Sequence, residues 1–467
     1  MRALRRPSRA FSVEGSAMSD FARLQSLTQQ LLDAARRAGA DQADAVAVEA
    51  AAVSVDVRAG KLEHAERAEG VEIGLRVLVA GRQACVSASD HAGRTIADMA
   101  ARAVAMAREA PVDDTLGLAD PAQLTDRTDS SALDLYDGSP EPRPEALQDA
   151  ALRAEAAALA VEGISKVESA SAAHSARRMW LAASNGFEAG YGRTGHSLST
   201  VAITGEGTGM ERDWAGETRV HLSDMPDPES IGRLAGERTV ARRGARKPPT
   251  GAFPILYDER VAAGLIGHLV GAVNGAAVAR GASWLRDALG QPVLPPGFDL
   301  VELPHLPRMG GSRLFDAEGL ATRDRALVRD GVLQGWTLDL ATGRKLGLPS
   351  TANAVRGVGS APVPGVTNLD LTQGTQTREA LIRDMGRGLV VTSMLGASIN
   401  ATTGDYSRGA GGFWVENGEI THAVNECTIA GNLRDMLMRL TAANDARDWR
   451  GTRVPSLLVE GMTVAGA

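Results

Sequence analysis

The sequence has few cysteines, few aromatic residues, no long apolar run and no excess of positive charge. Its two cysteines, Cys85 and Cys427, exclude a disulfide framework and a thiolate zinc cluster, and they fit a reducing compartment such as the cytoplasm. No apolar run approaches the roughly 20 residues that a bilayer-spanning helix needs. The first residues are basic but no apolar stretch follows them, so we expect no secretory signal and no membrane partner.

The charge balance argues against a nucleic-acid partner. The chain has 57 acidic and 50 basic residues, a net charge of -7, and the two signs are interspersed along it. A nucleic-acid-binding protein would instead need a basic face. The exception is the arginine-rich stretch 238–247, which we interpret as a solvated linker in preference to a phosphate site.

Length and glycine content predict the overall organisation. A chain of 467 residues exceeds one ordinary core, so two domains are expected. With aromatics at 4% and 52 glycines, the cores must consist of Val, Leu, Ile and Ala, with many glycine-dependent turns. Residues 1–18 are predicted to be disordered or to precede the true start at Met18. We then predict an N-terminal α+β domain over 19–240, a linker over 241–252 and a β-rich domain over 253–467.

The N-terminal half alternates between helical and strand patterns. Helical spacing of apolar residues over 19–39 predicts a helix that ends at Gly39. In the strand pattern 43–58 the valines change phase, which predicts a bulge or break within the alanine run. Residues 71–89 predict a hairpin with its turn at 80–82, and 94–108 a second helix.

The same order returns in the middle of the chain. Residues 144–160 predict a helix, and 164–206 predict strands joined by the turn Ser184-Asn185-Gly186, because an Asn-Gly pair supplies positive φ values. Helices and strands in this order indicate an α+β fold with a mostly antiparallel sheet.

Beyond residue 253 the pattern changes. One helix is predicted from Asp258 to Arg280, and its many small residues indicate a buried, central element that another helix or strand approaches closely. Short β segments follow, separated by Gly-Gly, Asp-Gly and Asn-Gly turns such as Asn417-Gly418.

Four stretches of this half resemble one family. They are DERVAAGLIGHLVGAVNGAAVARGASWL (258–285), VRDGVLQGWTLDLATGRKLGLPSTANA (328–354), GDYSRGAGGFWVENGEITHAV (404–424) and NECTIAGNLRDML (425–437). Together they resemble the TldD/PmbA family, the modulators of DNA gyrase, in its PmbA (TldE) branch. The resemblance extends weakly back to residue 18. It implies a subunit of a heterodimeric zinc metallopeptidase that cleaves unfolded peptides, with zinc and catalytic residues in a TldD-type partner.

In TldD subunits a helix carries His-Glu-x-x-x-His, and a later cysteine completes the zinc site. The matching positions here are Ala263, Gly264 and His268. Alanine and glycine side chains neither bind a metal nor move a proton, and no cysteine follows Cys427. We therefore expect no catalytic residue and no metal in this chain.

Five residues are predicted to line the substrate channel: His268, His305, Arg313, Asp405 and Arg408. Each has a plainer alternative. For His268 we favour a packed, hydrogen-bonded histidine over a ligand. His305 is equally compatible with a substrate path, which the resemblance suggests, and with a solvated turn.

The charged loop residues Arg313, Asp316 and Glu318 could fix substrate backbone or bridge subunits, but solvation is the favoured reading. The segment 405–408 contains Ser407 without the base and glycine elbow of a serine nucleophile, so structure or substrate contact is preferred.

Two other functions are compatible with the sequence. One is a homodimeric hydrolase with a different site, which is disfavoured by the missing motif. The other is a regulatory binding protein that acts without proteolysis, on which the sequence is silent.

Overall fold

The computed structural model describes residues 21–466, so the predicted disordered segment 1–18 lies outside the described residues. The helices in chain order are α1 Ala22–Ala38, α2 Gly93–Glu109, α3 Pro144–Leu159, α4 Pro228–Ala241, α5 Glu259–Ala272, α6 Gly275–Ala279, α7 Leu340–Leu346, α8 Arg378–Met385 and α9 Leu433–Leu437. None of the helices in 21–466 is long and apolar enough to cross a membrane.

The strands fall into two groups by position along the chain. Those of the N-terminal half are β1 Gln42–Arg58, β2 Lys61–Val79, β3 Arg82–Ala88, β4 Ile164–Ala183, β5 Glu188–Thr204 and β6 Glu211–Arg219. Those of the C-terminal half are β7 Gly251–Tyr257, β8 Leu300–Glu302, β9 Arg325–Arg329, β10 Val332–Leu333, β11 Ala354–Val355, β12 Val363–Pro364, β13 Leu369–Leu371, β14 Gly388–Ile399, β15 Asp405–Glu416, β16 Glu419–Asn432, β17 Leu440–Ala442, β18 Thr452–Arg453 and β19 Leu457–Ala465.

The N-terminal strands form one antiparallel sheet of order β3-β2-β1-β4-β5-β6. Helices α1 and α2 cover one end of a face, and α3 and α4 cover the other end of the same face. The predicted hairpin turn is present, with positive φ at Ala80 and Gly81. At the Asn185-Gly186 turn only Gly186 has positive φ. The α+β prediction with an antiparallel sheet is therefore confirmed.

The predicted bulge in the alanine run of β1 is wrong. Pairing with β2 and β4 runs unshifted through the alanines, and the one register shift lies between Asp56 and Val57. The valines change phase because the start of β1 is buried on both faces. Val46 and Val48 pack under Phe315 on the face opposite the helices, whereas the later valines pack against α3 and α4.

The C-terminal half contains a barrel. Its strands follow the order β16-β15-β14-β7-β19-β17, and an additional pairing of β19 with β16 closes the sheet. The β14–β7 pair is parallel and the others are antiparallel. Side chains alternate along these strands: Ile255 and Tyr257 belong to the main core with α5, whereas Leu256 packs against α8.

A second small sheet, β10-β9-β8-β13-β18, lies in the same half. The predicted Asp-Gly and Asn-Gly turns are present at Asp330-Gly331 and Asn417-Gly418, where all four residues have positive φ.

The single helix predicted from Asp258 to Arg280 is in fact two. Helix α5 ends at Ala272, and Asn274 adopts extended backbone (φ -68°, ψ 122°) and caps α6 by accepting the Ala276 N–H at 3.0 Å. Gly275, the residue after Asn274, packs tightly, since a Cβ on it would lie 2.4 Å from Leu338 Cδ2. The chain therefore turns at Asn274.

The basic stretch 238–247, which begins within α4, is not simply a solvated linker. Arg242 is buried, donates to Ser393 Oγ at 3.2 Å and lies 3.7 Å from both Glu211 and Asp213. Burial lowers the pKa of Arg238 to about 10, with Arg260 contributing. These guanidiniums are held between the two halves because carboxylates of β6 face them.

Candidate functional site

Helix α5 is buried along one side and open along the other. Its N-cap, Asp258, accepts the Arg260 N–H at 3.3 Å and receives the Arg378 guanidinium at 3.1 Å. The core-facing residues are Ala262, Leu265, Ile266, Leu269 and Ala272. On the other side Gly264, Gly267 and Gly271 are exposed, and a Cβ added to any of them would meet nothing within 4 Å.

His268 borders this open glycine face. Its ring packs edge-on against Tyr406, with the centroids 5.7 Å apart, so the packed interpretation agrees with the geometry. Burial, and secondarily the nearby Arg408, lowers the pKa of His268 below its ordinary value, which favours the neutral imidazole. The Tyr406 hydroxyl lies 3.4 Å from the Tyr257 hydroxyl inside the barrel.

Arg408 and Asp405 lie at the start of β15, next to Tyr406, the residue that contacts His268. The Arg408 Nε donates to the Gly396 carbonyl at 2.7 Å. Asp405 accepts from Thr403 Oγ1 at 2.6 Å and from Asn432 Nδ2 at 3.2 Å, and these hydrogen bonds lower its pKa. Asp405 therefore holds the turn between β14 and β15 and its exposed edge faces solvent.

His305 and Arg313 belong to a different place, the loop between β8 and β9. His305 Nε2 lies 3.1 Å from Thr322 Oγ1, which donates to the Arg313 carbonyl at 2.5 Å. The Arg313 Nη2 donates to the Gly365 carbonyl at 2.9 Å. The structure thus divides the five predicted residues into a group around α5 and β15 and a group in this loop.

Asp316 and Glu318 of that loop are not solvated, contrary to the favoured expectation. The Asp316 carboxylate accepts the backbone N–H groups of Leu320 and Ala354, each at 3.0 Å. Glu318 Oε2 accepts the Leu340 N–H at 2.8 Å. Burial first, and then the neighbouring Asp316, raises the pKa of Glu318 to about 8.

Two cavities border these residues, and the sequence did not reveal either. One, of about 150 Å³, reaches Ala263 and is lined by charged side chains of both halves. There Arg447 bridges Glu217, at 3.3 Å, and Glu259. The other, of about 260 Å³, is lined by Arg313 and three further arginines. Arginines so far apart in sequence carry no local pattern that would group them.

The residues around α5 do not fit a zinc ion. Zinc sites of metallopeptidases use three protein ligands and an open position, and here the helix offers one imidazole, His268. Among residues 21–466 no group of three or more His, Cys, Asp or Glu side chains could hold a metal ion. Burial raises the pKa of the Cys427 thiol to about 11, which agrees with an inert core cysteine.

The comparisons with known proteins agree with this fold. Family models for three consecutive domains of the PmbA/TldA metallopeptidases match residues 43–107, 137–243 and 250–466. The chain is 36% identical to the metalloprotease PmbA of Escherichia coli O157:H7 over 427 residues, which are 91% of this chain and 92% of that protein. It is 34% identical to a PmbA homologue of Haemophilus influenzae over 93% of this chain and 94% of that protein.

Solved structures share the whole architecture. A proposed modulator of DNA gyrase from Bacteroides thetaiotaomicron superposes with a TM-score of 0.87 at 27% identity, covering 96% of this chain and 99% of that one. TldE from Thermococcus kodakarensis has the same fold, with a TM-score of 0.81 at 18% identity over 94% of this chain and all of that one.

The matched domains and the shared architecture define the class, a metallopeptidase-like protein. More specifically, the chain belongs to the PmbA/TldD family, which confirms the resemblance seen in its sequence.

Proposed function

We propose that this chain is the non-catalytic, metal-free subunit of a heterodimeric zinc metallopeptidase that degrades or processes unfolded peptides. In this proposal a TldD-type partner carries the zinc and the catalytic residues, and this chain contributes scaffold and part of the substrate channel. We place it in the cytoplasm, a reducing compartment that its free cysteines suit.

The observation that carries the proposal is the chemistry of α5. Ala263 and Gly264 stand where the family's metal-binding histidine and general base are expected, and His268 is the one polar side chain left of that motif. Hydrolysis by zinc needs several ligands, an open coordination position and a base. A partner must therefore supply these groups.

The open glycine face of α5 supports a docking surface for that partner. Small side chains permit close backbone approach, and no element of residues 21–466 occupies the space over Gly264, Gly267 and Gly271. Nearby on β14, Leu395 is 75% exposed, far more than an apolar side chain in a core. We infer that this face packs against the partner's zinc-bearing helix.

Replacing Gly271 by Phe tests the docking surface. The bulky ring has room in the isolated chain, so folding is retained, but it projects from the face that the partner is proposed to cover. We expect co-purification with a TldD-type subunit to be abolished. Gly93→Phe, on the equally open first turn of α2, is the matched control and should leave pairing intact. Unchanged pairing of Gly271→Phe contradicts this interface.

Extended peptides suit the remaining part of the proposal. The first sheet ends at the strands β3 and β6, and a strand added at such an edge would bind through main-chain hydrogen bonds with little sequence preference. Beside the second edge, Trp214 is 54% exposed and adjoins the cavity that reaches Ala263. His305 and Arg313 remain proposed channel residues.

Reconstitution tests the function. Purified chain is assayed for bound metal and for cleavage of an unfolded peptide, alone and mixed with a TldD-type subunit. We expect neither metal nor cleavage alone, and chelator-sensitive cleavage in the mixture. Chelator-insensitive cleavage by the chain alone would instead support a hydrolase with a different site, the homodimeric alternative. A biological effect that survives destruction of the partner's zinc site would identify a regulatory binding protein.

A further inference from the structure

A cavity of about 260 Å³ lies between the first sheet and the loops of the C-terminal half. One wall is apolar and includes Met179, Leu181, Tyr191 and Phe315. The cavity is slightly smaller than typical ligand pockets, which hold roughly 300–1,000 Å³, and suits a group of one or two amino-acid residues in size.

The rest of the lining is unusual for its charge, because four arginines contribute to it: Arg177 from β4, Arg193 from β5, and Arg313 and Arg356 from loops. Arg193 donates to the carbonyls of Gly310 and Ser312, and Arg313 to that of Gly365. These acceptors are neutral. Within the described part of the chain, the Nε atoms of Arg193 and Arg313 are buried and have no hydrogen-bond partner.

Arg356 shows most directly that positive charge exceeds negative charge around this cavity. Its side chain is 2% exposed, and an ion pair joins Nη1 to Asp44. The Nε and Nη2 atoms are buried and lack a partner within residues 21–466. Asp44 cannot neutralise it fully, since the same carboxylate also binds Arg76, whose Nε lies 2.6 Å away. One buried carboxylate therefore serves two guanidiniums.

The carboxyls near the cavity do not restore neutrality. Asp316 lines the cavity and attracts Arg313, but it is a single carboxyl beside four arginines, and its oxygens already accept the backbone N–H groups of Leu320 and Ala354. Glu318 has a pKa of about 8 and is therefore mostly protonated at pH 7. Unpaired buried cations are strongly unfavourable, and an anion with hydrogen-bond acceptors would remove that penalty.

We propose that this cavity binds a carboxylate that carries an apolar group, such as the C-terminal residue of a peptide. The carboxylate oxygens accept from the guanidiniums of Arg177 and Arg313, the charge of Arg356 adds to the attraction, and the apolar group packs against Met179, Tyr191 and Phe315. Arginine suits this ligand because its planar fork matches a carboxylate. This chain binds the carboxylate by itself, and binding does not depend on a partner subunit or on peptide cleavage.

Calorimetric titration of the purified chain tests the ligand. The probes are N-acetyl-leucine, a tetrapeptide ending in leucine, the C-terminal amides of both, and inorganic phosphate. We expect the acids to bind roughly tenfold or more tightly than the amides, because a charge-assisted hydrogen bond is lost in the amide. Tighter binding of the tetrapeptide identifies a peptide C-terminus as the source, and tighter binding of N-acetyl-leucine a free small acid. Equal binding of acid and amide, phosphate binding as tight as the acids, or no binding overturns the proposal.

Variants locate the site. Arg177→Gln changes an exposed residue at the rim and should fold normally while weakening acid binding severalfold. Arg313→Gln removes an inner contact and should weaken it further. Arg94→Gln, on α2 with a side chain 94% exposed, removes the same charge elsewhere and should leave binding unchanged. If folded Arg177→Gln and Arg313→Gln both bind the acid as tightly as the unaltered chain, the ligand is not in this cavity.

Discussion

Buried carboxyls in this protein differ according to what faces them. Burial by itself raises the pKa of Asp44, but the ion pairs with Arg76 and Arg356 outweigh it, and the pKa is lowered. Glu318 lies nearby, is partly buried as a residue, and has its pKa raised to about 8 by the burial of its carboxyl and by Asp316. The same desolvation therefore gives a charged aspartate in one place and a neutral glutamate in the other.

Glu318 predicts a pH-dependent stability. Because its native pKa exceeds its ordinary value of 4.5, the native state binds the proton more tightly than the unfolded state does. The stability that this group contributes is fully present below about pH 4.5 and is lost as pH rises through about 8. Glu318→Gln keeps an acceptor for the Leu340 N–H and cannot ionise. From pH 5 to pH 9 we expect the variant to gain about 2–4 kcal/mol relative to the unaltered chain.

Urea unfolding at pH 5, 7 and 9 measures this gain. Glu379→Gln is the control, because Glu379 on α8 is exposed whereas Glu318 is not. Parallel pH profiles for the Glu318→Gln variant and the unaltered chain would show that Glu318 is ionised in the native state.

At the scale of elements, local signals and tertiary contacts compete between α5 and α6. The apolar and small residues from Asp258 to Arg280 favour one continuous helix. The helix nevertheless breaks at Asn274. The Asn274 side chain caps α6 and donates to the Pro364 carbonyl at 2.9 Å, and the neighbouring Gly275 is tightly packed. Contact with β12, a strand distant in sequence, thus determines where α5 ends.

Asn274→Ala tests how much this break stabilises the fold. The variant loses the N-cap and the hydrogen bond to Pro364, so we expect it to be about 1–2 kcal/mol less stable in chemical unfolding. Asn274→Asp retains an acceptor for the Ala276 N–H but cannot donate to Pro364, and should show an intermediate loss. Equal stability of Asn274→Ala and the unaltered chain would mean that the helix break needs no cap.

At the scale of the whole molecule, the two halves are joined by close contacts and ion pairs. Gly74 of β2 lies against Val358, and a Cβ there would be 1.8 Å from the Val358 carbonyl oxygen. Arg447 bridges Glu217 of the first sheet and Glu259 of α5. The first sheet and the C-terminal loops are therefore expected to unfold cooperatively.

Gly74→Ala tests this junction. One methyl group has no room at Gly74, so the loop bearing Val358 must move, and we expect a loss of about 1–3 kcal/mol or more. Gly70→Ala, on the same strand and facing open space, should change stability by less than about 0.5 kcal/mol. Thermal unfolding of both variants makes the comparison, and similar midpoints would contradict tight packing between the halves.

Local chemistry by itself determined the elements whose signals lie within a few residues. The helix ending at Gly39 and the hairpin turns at Ala80-Gly81 and Asn417-Gly418 were predictable. Each depends on backbone conformations or side-chain chemistry that the residue type itself dictates.

Only the tertiary structure decided the features that depend on distant neighbours. The unbroken β1 follows from burial on both faces, and the break at Asn274 from contacts with Leu338 and Pro364. The arginine-lined cavity brings together side chains of β4, β5 and two loops. Burial and charge pairing depend on which residues are neighbours in space. The periodicity of the sequence does not specify these neighbours.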